Sequence, residues 1–203
     1  MTRAALALPS GLLAAVFAVL VWSALAPHDY PTWGEEVAPV LVVLPLLVAT
    51  YKKFPLTPLL YTLIALHACI LMIGGHYTYA LTPVGEWMRD ILHTQRNPYD
   101  RLGHVFQGFV PALAIREILL RTTALNRRKT LAVVIFLCCM GISALYELIE
   151  WAAAMIEGSG ADAFLGTQGD IWDTDADMLF CGIGAIAALL TLPRLHDRQL
   201  AAL

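Results

Sequence analysis

Charge is what this chain has least of. Only 14% of its 203 residues are Asp, Glu, Lys or Arg, against about 25% in an ordinary water-soluble domain, and that deficit excludes a soluble globular fold. Cysteine is sparse too. Cys69, Cys138, Cys139 and Cys181 lie inside apolar runs with no CxxC spacing, so neither a disulfide framework nor a zinc ribbon is expected, and the four read as small buried hydrophobes. No strand-like alternation of apolar and polar residues competes with helix. No repetition links the first and second halves in the way many transporters show. A net charge of -3 gives no footprint for a nucleic-acid partner.

What the chain does have is apolar surface, 59% of its residues with a mean hydropathy of +0.67, which reads as an integral membrane protein. At about 20 residues per crossing the length allows six helices with short loops. The expected fold class is therefore all-α, a polytopic six-transmembrane-helix bundle forming one integral membrane domain over residues 1–203. The apolar runs fall at 8–26, 37–51, 56–75, 104–120, 131–156 and 178–192. The second and last are short and are expected to recruit residues 33–36 and 172–177. Pro111 lies inside the fourth, where its missing N–H should kink the helix rather than end it.

With six alternating spans, Arg3, Lys52, Lys53, Arg116, Arg121, Arg127, Arg128, Lys129, Arg194 and Arg198 fall on one side, and only Arg89, Arg96 and Arg101 on the other. The positive-inside rule then puts both termini in the cytoplasm. The basic run 121–129 is a topology signal with some attraction for anionic lipid heads. Arg3, the apolar stretch after it and Ala24-Leu25-Ala26 also fit a signal peptide, whose removal would leave the other spans oriented as before.

Against this background three polar stripes stand out. Asp100 and His104 are four apart at the outer end of the fourth span, Glu147 and Glu150 are three apart in the outer part of the fifth with Ser143 one turn before, and Asp170, Asp173 and Asp177 follow an i, i+3, i+7 pattern at the outer start of the sixth. Residues three or four apart share a helical face, so all three stripes reach one depth on one side. His76 ends the third span at that same level. Each ionised carboxylate in hydrocarbon costs about 2.5–3.5 kcal/mol even on the lenient scale, and several acids together repel one another. A cation or shared protons must offset this.

Two readings compete. In the first, Asp173, Asp175 and Asp177 cap the sixth helix and Glu147 or Glu150 pairs with Arg101, giving a structural network. In the second, His and carboxylates from neighbouring helices hold a divalent metal ion, with Zn, Mn or Fe suiting the mixed donors better than Mg or Ca. The second assigns His76, His104, Glu147, Asp170 and Asp173 as ligands and Glu150 and Asp177 as general base or orienting groups. Asp100, Arg101, Gln107 and Gln168 become substrate contacts or supports for the ligands. His67, nine residues before His76 and on the opposite face by the 100° step, reads as a core histidine.

The two long outer loops read as a cap over the cluster. In residues 77–103, Glu86 to Leu92 is spaced for a short amphipathic helix on the membrane surface or over the bundle mouth. In 158–170, Gly158, Gly160, Gly166 and Gly169 permit positive φ or close backbone approach.

The runs Arg96-Asn97-Pro98-Tyr99-Asp100-Arg101-Leu102-Gly103-His104 with Gln107-Gly108-Phe109, Tyr146-Glu147-Leu148-Ile149-Glu150-Trp151, and Phe164-Leu165-Gly166-Thr167-Gln168-Gly169-Asp170-Ile171-Trp172-Asp173-Thr174 with Asp177-Met178 resemble the bacterial inner-membrane family DUF2238, also called YjdF-like. The resemblance covers His76 to the end of the sixth span and implies six inner-membrane helices with no established activity. The leading expectation is a metal-dependent hydrolase acting on a lipid or lipid-linked substrate from the outer leaflet, with membrane lipid as its surroundings and an oligomer left open. The alternatives are an ion- or proton-binding transporter and a structural protein with a buried salt-bridge network.

Overall fold

The structure is a computed structural model that describes residues 3–125, 128–157 and 168–203. Among these residues it is all-helical, with no strand. The helices are α1 (Arg3–Ser23), α2 (Tyr30–Thr50), α3 (Pro58–Tyr77), α4 (Pro83–Leu92), α5 (Tyr99–Thr122), α6 (Arg128–Glu157), α7 (Asp173–Thr191) and α8 (Pro193–Leu200), with a 3₁₀ turn at Tyr79–Leu81. Each of the six apolar runs falls largely within a helix. Pro111 does not end α5, which continues to Thr122.

Four helices are long and apolar enough to cross a membrane among the described residues: Tyr30–Thr50, Pro58–Tyr77, Arg128–Ile156 and Asp173–Thr191. The apolar part of α1, Ala7–Ser23, is shorter. At 24 residues α5 has the length but carries Asp100, Arg101, Arg116, Glu117 and Arg121. The fully buried Glu117 is paired on its own helix, where Arg121 Nη1 donates to its Oε1 at 2.8 Å.

The chain forms two compact units, Met1–Tyr77 with Arg194–Leu203, and Thr78–Pro193. In the first, Val16, Val37, Val40, Ala68 and Met72 make an apolar core. Asp29 caps α2 by accepting the Thr32 N–H at 2.8 Å. These hydrogen bonds from the cap hold the Asp29 carboxyl below its ordinary range. Gln199 of α8 accepts from the Leu59 N–H at 2.8 Å, tying the last helix to the start of α3.

In the second unit α5, α6 and α7 pack along stripes spaced by four. Buried along these stripes are His104, Gly108, Ala112 and Arg116 on α5, Leu131, Ile135, Cys139, Ser143 and Glu147 on α6, and Asp173, Asp177, Cys181 and Ala185 on α7. Four-residue spacing makes a ridge along a helix that can seat between the ridges of a neighbour. The stripes are apolar in the middle and polar toward one end, so close packing of the apolar part carries the polar residues together.

The closest approach is between α5 and α7. A Cβ added at Gly108 would lie 1.8 Å from the Cys181 carbonyl oxygen, and one added at Gly184 would lie 1.9 Å from that of Val105. Backbone meets backbone at both points, the arrangement that small residues permit between membrane helices. From Asp100 beside Asp177 to Gly108 beside Ala185 the contacts advance together along both chains, so the two helices run parallel. One turn before Gly108 stands His104, and one turn before Cys181 stands Asp177.

Candidate metal centre

His104 is the centre of the polar end. Its Nδ1 lies 2.9 Å from Gln107 Oε1, an oxygen that accepts when Nδ1 carries a proton. Its Nε2 then faces two carboxylates, Asp100 Oδ1 at 3.4 Å and Asp177 Oδ1 at 3.9 Å. Ligand atoms of Asp100, His104 and Asp177 all lie within 4.8 Å of one another. Tyr146 of α6 meets the imidazole edge-on at 6.4 Å. The side chain that Gln107 contacts thus turns its second nitrogen toward these acids, the orientation that histidine ligands of metals commonly take.

Asp177 is only 2% exposed, and its Oδ1 has no hydrogen-bond partner. Glu147, 8% exposed, likewise keeps a buried Oε1 without one, and it lies close enough to His104 and Asp177 to interact with both charges. Ser143, one turn further along α6, is fully buried with an unpartnered Oγ. Buried polar atoms without partners are rare and ask for an explanation. Here three come from two adjacent helices beside one imidazole.

Asp170 and Asp173 are placed differently. Arg96 donates to Asp173 Oδ1 and reaches Asp170 Oδ2 at 3.5 Å and Asp100 Oδ2 at 3.4 Å. Arg101 donates to the same Asp170 oxygen at 3.0 Å while its guanidinium lies 5.5 Å from the Phe180 ring centre. The other Asp170 oxygen accepts the Trp172 N–H at 3.0 Å, because Asp170 stands in the turn before α7 rather than on its face. Burial works against the charged form of Arg96, yet Asp173, Asp100 and Asp177 hold its pKa above the ordinary arginine value.

Asp100 is therefore shared, one oxygen on Arg96 and the other on the His104 side. Glu150 lies three residues beyond Glu147, half-buried. His76 belongs to the first unit, where its Nδ1 lies 3.0 Å from the Ser23 carbonyl and its ring centre 4.5 Å from that of Trp22. Of the residues singled out in the sequence, the structure gathers Asp100, His104 and Asp177 with Gln107 and Glu147 beside them. It sets Asp170, Asp173 and Arg101 in the adjoining ion-pair network. Arg101 meets Asp170 there rather than Glu147 or Glu150.

Arg96 and Asn97 are the residues that spacing arguments passed over. Arg96 stands four before Asp100, a signal for an i, i+4 pair, but its three-way bridging depends on α7. Asn97 is almost fully buried. Its Oδ1 accepts the Tyr99 N–H at 3.1 Å, and its Nδ2 donates to the Thr82 carbonyl and to Glu86 Oε1, both at 3.1 Å. Its backbone N–H and C=O pair with both ends of the Gln168 amide at 3.0 Å. Gly85 makes room for it, since a Cβ there would sit 1.7 Å from Asn97 Oδ1. Gln168 and Gly169 turn the chain at φ +48° and +86°, the second natural only for glycine. The remaining cap residues read from the sequence, Gly158, Gly160 and Gly166, and the motif residues Phe164 to Thr167 lie outside the described residues.

Replacing Asn97 with Ala should strip the start of α5 of its cap and leave Glu86 and the Thr82 carbonyl short of a donor. The expected loss is about 1–3 kcal/mol, read as a lower unfolding midpoint and faster amide exchange between Thr82 and Tyr99.

A family model described as a predicted membrane protein, DUF2238, matches residues 8–198. Inner membrane protein YjdF of Escherichia coli (strain K12) is 54% identical over 182 residues, 90% of this chain and 87% of that protein. No solved structure matches.

Proposed function

Since the chain belongs to the DUF2238 family of predicted membrane proteins, we propose that it is a six-span bacterial inner-membrane protein whose buried cluster binds a divalent cation and uses it in hydrolysis. The relative named an inner membrane protein supports the location. The bias of Lys and Arg supports cytoplasmic termini and an extracytoplasmic cluster. Crossing by α5 is compatible with its charges because Glu117 and Arg121 pair near one end and Asp100 and Arg101 meet partners near the other.

The observation that carries the cation is the unpartnered Asp177 Oδ1 beside His104 Nε2 and Asp100 Oδ1. Charge count points the same way. Among the described residues, the five acids Asp100, Glu147, Asp170, Asp173 and Asp177 gather around three basic side chains, Arg96, Arg101 and His104. One imidazole and two carboxylates form a donor set for Zn, Mn or Fe. In this reading Asp100, His104 and Asp177 are the ligands, and Asp170 and Asp173 serve instead as partners that hold Arg96.

A bound divalent ion lowers the pKa of water enough to supply a nucleophile near neutral pH. Glu147, buried and with a free oxygen, is placed to take the proton and return it to the leaving oxygen. An ester of a lipid or lipid-linked substrate is the substrate class, reached from the outer leaflet. The competing reading, ion or proton passage, draws on one observation, the unpartnered Ser143 Oγ a turn inward of Glu147. Past Ser143 the thiols of Cys139 and Cys181 donate to the Gly108 and Cys139 carbonyls, so no polar path continues.

Elemental analysis of protein purified without added ions tests the cation. A stoichiometric Zn, Mn or Fe in the wild type, lost in both His104→Ala and Asp177→Asn, is the expected result. A wild type that holds no divalent ion even after incubation with each metal overturns it. Ion flux across liposomes containing the wild type separates passage from hydrolysis.

A further inference from the structure

The most unusual surface in the second unit belongs to α4. A soluble amphipathic helix turns its apolar stripe toward the protein, but α4 does the reverse. Gly85 is buried, and Glu86 reaches inward to Asn97 at 3.1 Å. Val84, Trp87 and Ile91, spaced i, i+3, i+7, face outward together with Leu92, and Trp87 is 65% exposed. Leu81 of the preceding 3₁₀ turn adds to the same surface. At ten residues α4 is far too short to span a bilayer.

Two other tryptophans in this unit are as exposed, Trp151 at 62% and Trp172 at 65%. Trp151 follows Glu147 by one turn of α6, and Trp172 immediately precedes Asp173. Tryptophan concentrates where hydrocarbon meets headgroups, so these two mark the level at which α6 and α7 leave the apolar layer. Asn97 ties α4 to the start of α5, two residues from Tyr99 and three from Asp100. Arg96, next to Asn97, in turn pairs with Asp173 beside Trp172, so the outward stripe of α4 stands near the level that Trp172 marks.

We propose that α4 is an interfacial lipid-binding helix, its Val84, Trp87 and Ile91 seated among the outer-leaflet acyl chains just below the headgroups and its Glu86 side held on the protein by Asn97. The occupant of the exposed face is bilayer lipid. The polar rim fits that position, since Arg89 Nη2 pairs with Glu86 at 2.6 Å and reaches Asp90 at 3.7 Å, and Asp90, the acid in excess, is exposed rather than buried. The inference depends on membrane insertion alone, independent of whether an ion fills the cluster.

Fluorescence quenching in phosphatidylcholine vesicles tests it. Lipids brominated either near the headgroup end or near the methyl end of the acyl chain are compared for the wild type and for Trp87→Phe, and the difference is the signal of Trp87. An apolar face seated about 5–10 Å into the boundary predicts that headgroup-end bromines quench this signal about twofold more than methyl-end bromines. A Trp87 signal quenched by neither lipid, as for a face in water or covered by another protein or a second copy, overturns the proposal. So does stronger quenching from the methyl end, which would make the segment deeply inserted. Trp87→Phe keeps an apolar ring at an exposed site, so folding is preserved. A second variant, Ile91→Asp, is expected to speed amide exchange across α4 in vesicles, and an unchanged rate overturns the proposal. Metal content read on the same samples reports separately on the ion.

Discussion

Arg96→Ala is expected to cost about 3–5 kcal/mol, the penalty for removing one partner of a buried ion pair. Asp173, Asp170 and Asp100 all place an oxygen on this one guanidinium, and without it Asp173 in particular, itself buried, is left as an uncompensated charge. The unfolding midpoint should fall sharply. Arg96→Lys should recover only part of the loss, because an ammonium is a point charge and cannot fork among three carboxylates. The double variant Arg96→Ala with Asp173→Ala should be more stable than Arg96→Ala alone, since the orphaned acid goes with its partner. Equal stability of the two would mean that Arg96 is not the counter-charge of Asp173.

The second large effect is steric. Leu at Gly184 should separate α5 from α7, because even the first side-chain carbon meets the Val105 carbonyl at 1.9 Å and the Phe109 nitrogen at 3.0 Å. Both obstacles are backbone and cannot swing aside as a flexible side chain would. Overpacking of this kind costs about 1–3 kcal/mol or more. It should also move Asp177 away from His104, so bound metal and stability are expected to fall together. Gly141→Leu on α6 is the control, since a Cβ there meets nothing within 4 Å, and it should change neither. A Gly184→Leu protein with wild-type stability would contradict the packing.

The arrangement has a simple consequence for the cluster. Acids that meet arginine, Asp170 and Asp173, come from the first turn of α7 and the segment before it. Acids that keep one unpartnered oxygen, Asp177 on α7 and Glu147 on α6, lie deeper along the stripes than the acids that Arg96 and Arg101 bind. The same helix thus supplies both a structural ion pair and a buried carboxylate with an unpartnered oxygen, separated by one turn.

Helices and their polar stripes were legible because they depend on local order. Apolar runs long enough to span a bilayer, the pairing of Asp100 with His104 four residues on, and the shared face of Asp173 with Asp177 all follow from 3.6 residues per turn. The short helix at 83–92 was legible for the same reason, though spacing left open whether it lies on the membrane or over the bundle mouth. Asp170 shows where periodicity misleads: it fits the i, i+3, i+7 series, but α7 begins at Asp173, and the carboxylate accepts the Trp172 N–H and meets arginine instead.

By itself, then, the order of residues determined that this is an all-helical membrane protein with its ionisable groups gathered toward one end of neighbouring helices. Which acid meets which base was decided only by tertiary structure. Arg96 bridges to α7, and Asp177 stands before His104, because Gly108 and Gly184 let two backbones touch. Such a distance is set by crossing helices, and spacing along one chain does not carry it.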